Sequence, residues 1–285
     1  PKAQTGDCAV ALTKTPGIGE EMVFKPQNCN KLPQPVLYVI GDSHAGAYQR
    51  TYFRLAAQNG YTVHLYTYTG CRPLKYLDGD TSNDPNCNRF LDKNLQTVQK
   101  LAKPGDILFL PGLYTQRYRN YWNGDLLKTS DLDLKITPQD KVVAVQSYHR
   151  LEPIINKGAL ILIEAPKPVM KSALFRCADW FNRNNNYCQV DPSASREEMQ
   201  MRRSRILAYL TDISELSPGI TMWDPFPTLC PGNRCLGYLN GKPLYNDTDH
   251  LSGYGNDLLY PELREALQHL SESKKGADET KVNAK

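Results

Sequence analysis

The sequence predicts an α/β protein, a three-layer α/β/α sandwich in which helices cover both faces of a five-stranded parallel sheet. Three observations carry this. Short, unbroken apolar runs such as Val36 to Ile40, Ile107 to Leu110 and Ala159 to Ile163 read as strands buried on both sides, as parallel sheets require. These runs alternate with segments of helical periodicity, the order that builds βαβ units. A chain of 285 residues with 40% hydrophobic content can bury one sizeable core.

Taken in order, the strand at Val36 to Ile40 runs into Gly41-Asp42-Ser43-His44. Helical spacing then begins at once with Ala45, Tyr48, Tyr52, Leu55 and Ala56, and Asn59-Gly60 stops it. Tyr61 to Tyr66 mixes β-branched and aromatic residues as a second strand, ending in Thr69-Gly70-Cys71-Arg72-Pro73. Residues 75–87 are rich in Asp, Asn and Gly and read as a surface loop. Phe90, Leu91, Leu95, Val98 and Leu101 mark a helix over 88–103, which Pro104-Gly105 ends; Asp106 to Leu110 is the third strand. Residues 111–141 look irregular, 141–156 helical, and Ala159 to Glu164 forms the fourth strand. After a second insertion over 166–195, Met199, Ile206, Leu207 and Leu210 place a helix at 195–216. Gly219 to Trp223 is the fifth strand, and a last helix spans about 255–270. Residues 1–35 lack a long periodic segment and are expected to be an N-terminal extension or linker. The domain proper is then 36–271, and the charged residues 272–285 a disordered tail.

A net charge of +4 is too mild to argue for nucleic acid, and no window approaches the roughly twenty apolar residues of a membrane span. The start at Pro1, without Met or a signal-like segment, is expected of a mature product or an excised domain. Eight cysteines fall as neighbours: Cys8 with Cys29, Cys71 with Cys87, Cys177 with Cys188, Cys230 with Cys235. Zinc would want matched close couples, and Cys230–Cys235 has no counterpart. Disulfides in an oxidising compartment are therefore expected, with neighbour pairing chosen from about a hundred possible connectivities.

In open parallel sheets, ligands bind beyond the C-terminal strand ends. A strand feeding a helix through Gly-Asp-Ser sets the Ser43 hydroxyl at a helix start, where orphan N–H groups favour developing negative charge. An ordinary capped helix start explains this stretch as well. Far downstream stands Tyr245-Asn-Asp-Thr-Asp-His-Leu-Ser252. There His250 can reach Ser43 across the strand ends, and Asp247, three residues earlier, can curl under the imidazole and fix its tautomer. Asp249, adjacent to His250, is expected to face the ring poorly. An Asp-rich turn before a helix would account for this stretch alone. His64 is expected to pack within its strand, His149 and His269 to lie on the surface, and His44 to play a supporting part at most.

Gly-Asp-Ser-His after the first strand and Asp-x-x-His before the last helix together resemble the SGNH (GDSL-like) hydrolase superfamily, from Val36 to about Leu270. Gly-Asp-Ser-His-Ala-Gly46, Gly70-Cys-Arg-Pro-Leu74, Ala165-Pro-Lys-Pro168 and Asp-x-Asp-His-Leu-Ser252 narrow it. They look like the extracytoplasmic SGNH domain fused behind the membrane part of acyltransferase family 3 proteins, which acetylate bacterial surface sugars, lipopolysaccharide O-antigen among them. The resemblance implies a flavodoxin-like sheet, Ser43 as nucleophile, His250 as base and Asp247 as its orienter. It also implies a periplasmic domain of an inner-membrane protein, partnered by the membrane acyltransferase domain and a polysaccharide acceptor. No cofactor is expected in the domain itself, acetyl-CoA being used by the membrane part.

The sequence departs from the superfamily after the third strand. Leu110-Pro-Gly-Leu-Tyr-Thr-Gln-Arg117 lacks the Asn of the usual Gly-x-Asn-Asp motif. Ser43 N–H is then the first candidate oxyanion donor and Gly70 N–H the second, with Gln116 and Arg117 as substitutes. Tyr114, Gln116 and Arg117, within the aromatic and basic stretch 114–122, are candidate substrate contacts. Three functions are compatible: an O-acetyltransferase domain, a secreted carbohydrate O-acetyl esterase with the same triad, and a glycan-binding module. The intact Ser, His and Asp argue against the last.

Overall fold

The computed structural model describes residues 7–31, 34–74, 84–118, 135–182, 184–185, 188 and 193–282. Residues 75–83 of the expected 75–87 loop, and Arg119, Tyr121 and Trp122 of the aromatic stretch, lie outside the described residues, while Pro85 to Cys87 already belong to the helix that follows. Two strands precede the predicted ones: β1 (Ala9–Gly17) and β2 (Gly19–Gln27). Then come β3 (Leu37–Gly41), α1 (Ser43–Ala47), α2 (Gln49–Arg54) with a π turn at Leu55–Asn59, β4 (Val63–Thr67), α3 (Pro85–Leu101) and β5 (Ile107–Leu110). They are followed by α4 (Pro138–Ile155), β6 (Leu160–Glu164), α5 (Leu174–Ala178), β7 (Ala194–Ser195), α6 (Arg196–Glu215) and β8 (Ile220–Trp223). Last are α7 (Phe226–Leu229), the short strands β9 (Arg234–Cys235), β10 (Tyr238–Leu239) and β11 (Lys242–Pro243), and α8 (Gly253–Val282).

The main sheet runs β1-β2-β4-β3-β5-β6-β8. Its five parallel strands, β4-β3-β5-β6-β8, have the flavodoxin-like order 2-1-3-4-5, whose switch point lies between β3 and β5. Side-chain alternation along the strands divides the core in two. Val39, Leu65, Phe109 and Leu162 face Tyr48, Tyr52 and Leu55 of the first helical stretch and Leu259, Leu263 and Leu267 of α8. Tyr38, Ile40, Leu108 and Ile161 face Phe90 and Val98 of α3, Leu151 of α4 and Leu210 of α6. Both faces are covered, as the unbroken apolar strands require.

The N-terminal stretch is no simple extension. β1 and β2 form an antiparallel hairpin, and β2 adds to the sheet antiparallel to β4, pairing Glu20 with Thr67 and Phe24 with Val63. Met22 and Phe24 are buried, and Cys8–Cys29 closes the hairpin's base. The sheet therefore has seven strands, not five. At the other end, α8 continues past Leu270 to Val282, where a tail was expected. The apolar stripe stops at Leu270, but residues such as Glu272, Lys274, Ala277 and Glu279 are good helix formers. The four neighbour disulfides all form. Among the described residues, no helix is long and apolar enough to cross a membrane.

Candidate active site

β3 ends at Gly41 and leaves no room for a side chain there: a Cβ would lie 2.3 Å from Pro111 O and 2.7 Å from Ala45 Cβ. That close approach lets α1 start at once. Asp42 is its N-cap, taking His44 N–H at 2.8 Å on one carboxylate oxygen and Leu113 N–H at 3.1 Å on the other. Burial pushes the Asp42 carboxyl above its ordinary value, against the pull of those two donors. Ser43 is the first residue of the helix, half-buried, and its own N–H has no acceptor among the described residues.

His250 arrives from the segment before α8. Asp247 Oδ1 accepts the N–H groups of Asp249 and His250 at 2.9 and 2.8 Å, curling 247–250 into a tight turn. The turn aims His250 Nε2 at Ser43 Oγ, 2.7 Å away, while Nδ1 meets Asp247 Oδ2 at 2.6 Å. Burial would raise the Asp247 carboxyl, but the hydrogen bond from His250 and the two backbone donors hold it far below the usual carboxylate range. Burial works the other way on His250, yet its hydrogen bonds to Asp247 and Asp249 outweigh it and push the imidazole up to about 9.

The structure corrects the expectation for Asp249. Its Oδ1 lies 3.4 Å from His250 Nδ1, its Oδ2 lies 3.8 Å from His44 Nε2, and Arg117 Nε donates to the same carboxylate. The tight turn brings two carboxylates to one ring nitrogen, which sequence adjacency argued against. His44 is also more involved than its motif position suggested. It is buried and stacks on His250 with centroids 4.2 Å apart and planes 17° from parallel, and neither of its nitrogens is hydrogen-bonded. Burial and the charges of His250, Lys167, Arg117 and Arg72 hold His44 well below its ordinary value, so it stays neutral. His44, Asp249 and His250 have donor atoms within 4.8 Å of one another, a set that could reach one cation, but those of Asp249 and His250 are already engaged.

The other candidates scatter. Tyr114 cannot meet substrate: it is 1% exposed and its hydroxyl turns back to Leu110 O at 3.3 Å. Gln116 is exposed and lines neither cleft beside the triad. Arg117 borders a cleft of about 490 Å³ with Lys171, Arg176 and Asp247. Gly70 has φ +76°, a turn position, and the cleft that Ser43 lines takes in Thr67, Tyr68 and Thr69 but not Gly70. His64 is half-buried against Tyr38, and His149 and His269 are exposed, as expected.

Sequence reasoning gave no role to a buried charged group beneath the triad. Glu164, at the end of β6, is fully buried and ion-pairs with Lys167, accepts from Tyr48 hydroxyl, and takes Gly112 N–H at 3.2 Å. Burial pushes its carboxyl up, and Lys167, Tyr48 and Gly112 pull it back. Lys167 stands in the Ala165-Pro-Lys-Pro168 motif, the one signal that could have pointed there.

A half-buried hydroxyl at a strand-to-helix turn, hydrogen-bonded to an imidazole that a carboxylate orients, defines a Ser-His-Asp hydrolase-type site on a flavodoxin-like sheet. The family model for the SGNH domain (fused to AT3 domains) matches residues 8–265, so the chain belongs to that family. Its span takes in the N-terminal hairpin. No curated protein matches the sequence. Among solved structures, the chain is similar to a Bacteroides fragilis protein assigned as an acylhydrolase, at 12% identity and TM-score 0.42, covering 84% of this chain and 92% of that one. It is similar to a thermostable esterase from Pseudomonas putida at 16% identity and TM-score 0.40, covering 94% and 82%. For fungal esterases from Rhizomucor miehei the figures are 14% and 0.41, covering 95% and 85%. Likeness at that level carries no argument about substrate.

Proposed function

We propose that this domain is an O-acetyltransferase that passes an acetyl group through Ser43 to a sugar hydroxyl of a bacterial surface polysaccharide, lipopolysaccharide O-antigen foremost. One observation supports it above the rest: the unbroken chain Ser43 Oγ, His250 Nε2, His250 Nδ1, Asp247 Oδ2, with steps of 2.7 and 2.6 Å. Membership in a family of domains fused to AT3 domains supports the transfer role and a membrane acyltransferase portion as the acetyl source. That portion would use acetyl-CoA, leaving this domain without a cofactor of its own, and would set it in the periplasm.

In the first half-reaction neutral His250 takes the Ser43 proton as Oγ attacks the acetyl carbonyl. The tetrahedral oxyanion forms beside Ser43 N–H, which needs no particular side chain to donate. The bond from the acyl carbon to the donor's leaving group breaks, His250 returns its proton to that leaving group, and acetyl-Ser43 remains. In the second, His250 deprotonates a sugar hydroxyl that attacks the acyl carbon; Ser43 leaves with the proton, and a sugar acetate forms. Asp247 stays ionised throughout and stabilises the imidazolium. Water in place of the sugar gives the alternative, a carbohydrate O-acetyl esterase, and the open approach to Ser43 admits it.

The test is intact-protein mass after brief exposure to p-nitrophenyl acetate. Wild type gains one acetyl group and Ser43→Ala gains none. An equal adduct on both proteins would sink the assignment. Adding acceptor glycan then diverts acetyl from water to sugar for a transferase and leaves the partition unchanged for an esterase.

A further inference from the structure

We propose that the N-terminal hairpin builds the acceptor subsite, and that the subsite selects an uncharged sugar over an acidic one through Glu20. The proposal rests on the reading of Ser43 as the acyl carrier. A cleft of about 520 Å³ opens between β2 and the start of α1, with Ser43 at its edge and Glu20, Gln49, Thr67, Tyr68 and Thr69 along it. The other cleft beside the triad, where Lys171 and Arg176 stand with Asp247 and Asp249, is bordered by neither Ser43 nor His250. An attacking hydroxyl must reach the acyl carbon on Ser43, so it approaches through the cleft that contains Ser43.

Sheet register fixes where Glu20 points. Met22 and Phe24 pair with Leu65 and Val63, and all four are buried on the α1 side of the sheet. Alternation then puts Glu20 and its partner Thr67 on that same side, one pair nearer the C-terminal ends of the parallel strands. The hairpin is anchored there. Gly19 has φ +81°, and a Cβ on it would come within 2.4 Å of Thr67 O and 3.0 Å of the Phe90 ring. The cleft side is open: a Cβ on Gly46 would meet only Thr67 Cγ2, at 3.9 Å.

The lining includes the Gln49 amide, the Thr67 and Thr69 hydroxyls and the Glu20 carboxylate, beside Met22; the Tyr68 ring turns to the other face against Phe90, and its hydroxyl donates to Asp84. Glu20 is exposed and has no ion-pair partner among the described residues. A carboxylate without a cation accepts from sugar hydroxyls and repels a uronate or a phosphorylated sugar. Hydroxyl and amide groups complement a neutral pyranose, which has no charge to neutralise.

Binding can be read without turnover, by 1H–15N spectra of the whole chain titrated with methyl glycosides of glucose, galactose, mannose and rhamnose, and with methyl glucuronate and galacturonate. At least one neutral glycoside shifts the amides of Gly19 and Gly46 and the Gln49 side chain. The matching uronate binds on the order of tenfold more weakly, the effect of one like-charge contact in a surface cleft. Glu20→Gln brings the two within about twofold and Glu20→Lys reverses the order. Equal affinities in the wild type, shifts at Lys171 and Arg176 instead, or no shift with any glycoside would overturn the proposal. Missing sugar shifts beside an intact acetyl adduct defeat the subsite alone. A missing adduct beside intact sugar shifts defeats the acyl-enzyme reading alone.

Discussion

If His250 is the base, the free enzyme should be nearly silent at neutral pH and wake in alkali. Ser43 can be deprotonated only by a neutral imidazole, and the carboxylates of Asp247 and Asp249 push that imidazole up to about 9. At pH 7 roughly one molecule in a hundred then carries the base in working form. kcat/KM for p-nitrophenyl acetate, corrected for the rate of Ser43→Ala, should rise about tenfold per pH unit and level off above a midpoint near 9. Asp249→Asn tests the cause. Its carboxylate lies 3.4 Å from His250 Nδ1. Bare charges at that distance interact by about 5 kcal/mol at an effective dielectric of about 20. Arg117 on the same carboxylate cancels much of this, leaving on the order of 1.4 kcal/mol, or one pH unit. The variant's midpoint should fall to about 8, and its activity at pH 7 should rise relative to its own plateau. A wild-type midpoint at the ordinary histidine value, or an Asp249→Asn midpoint that stays put or climbs, would refute the reasoning. Stability follows the same linkage: because the folded value is raised, the stabilising contribution is complete below pH 6.5 and is lost as pH rises through about 9.

Other expectations follow from the same contacts. Asp247→Asn removes the charge 2.6 Å from Nδ1, lets an amide NH2 meet the ring in the wrong tautomer, and should lower plateau kcat on the order of 10³ to 10⁴ with little change in KM; a loss below tenfold would hand the orienting role to Asp249. Lys167→Met strands the buried Glu164 carboxylate and should cost about 3–5 kcal/mol in urea unfolding. Glu164→Gln with Lys167→Met should recover most of that, and an equally unstable double variant would show the pair is not what matters. Gly41→Ala forces Pro111 and Ala45 away from the new methyl group and should cost about 1–3 kcal/mol while slowing acetyl-adduct formation. An undiminished adduct rate would mean the turn tolerates the shift without moving Ser43.

Burial decided what could be read from the sequence. Strands β3, β5 and β6 are buried along their whole length, so their apolar runs announced them. The hairpin hid because only Met22 and Phe24 of β2 are fully buried, and they alternate with exposed or half-exposed positions in a stretch broken by proline and glycine. β2 pairs with β1 across a tight turn, and its second pairing, which carries the hairpin into the main sheet, is with β4 about forty residues later, a fact no local window holds. Ser43, Asp247 and His250 were legible only together: each stretch alone also reads as a capped helix start or an Asp-rich turn, and the two motifs combined carry the resemblance. Asp249 was misjudged because two N–H donors close on Asp247 Oδ1 and tighten the turn more than a free chain would. Tyr114 looked like a surface aromatic, but the loop after β5 folds inward and takes it along.

The same inward fold shows what stands after the third strand where the superfamily usually has its Asn. The loop's amides already have acceptors below the site, Leu113 N–H on Asp42 and Gly112 N–H on Glu164. Those two carboxylates sit on adjacent supports of the triad, Asp42 at the start of the nucleophile's helix and Glu164 at the end of β6. Glu164 also accepts from Tyr48, which closes α1, and Lys167 balances its charge. A buried network in which every carboxylate has partners holds its members in one geometry, because moving any of them would strand a charge away from water. Residues 112 and 113 of the loop therefore brace β3 against β6. The proposed oxyanion donor is then Ser43 N–H, whose position is set by the Asp42 cap and, through it, by the brace.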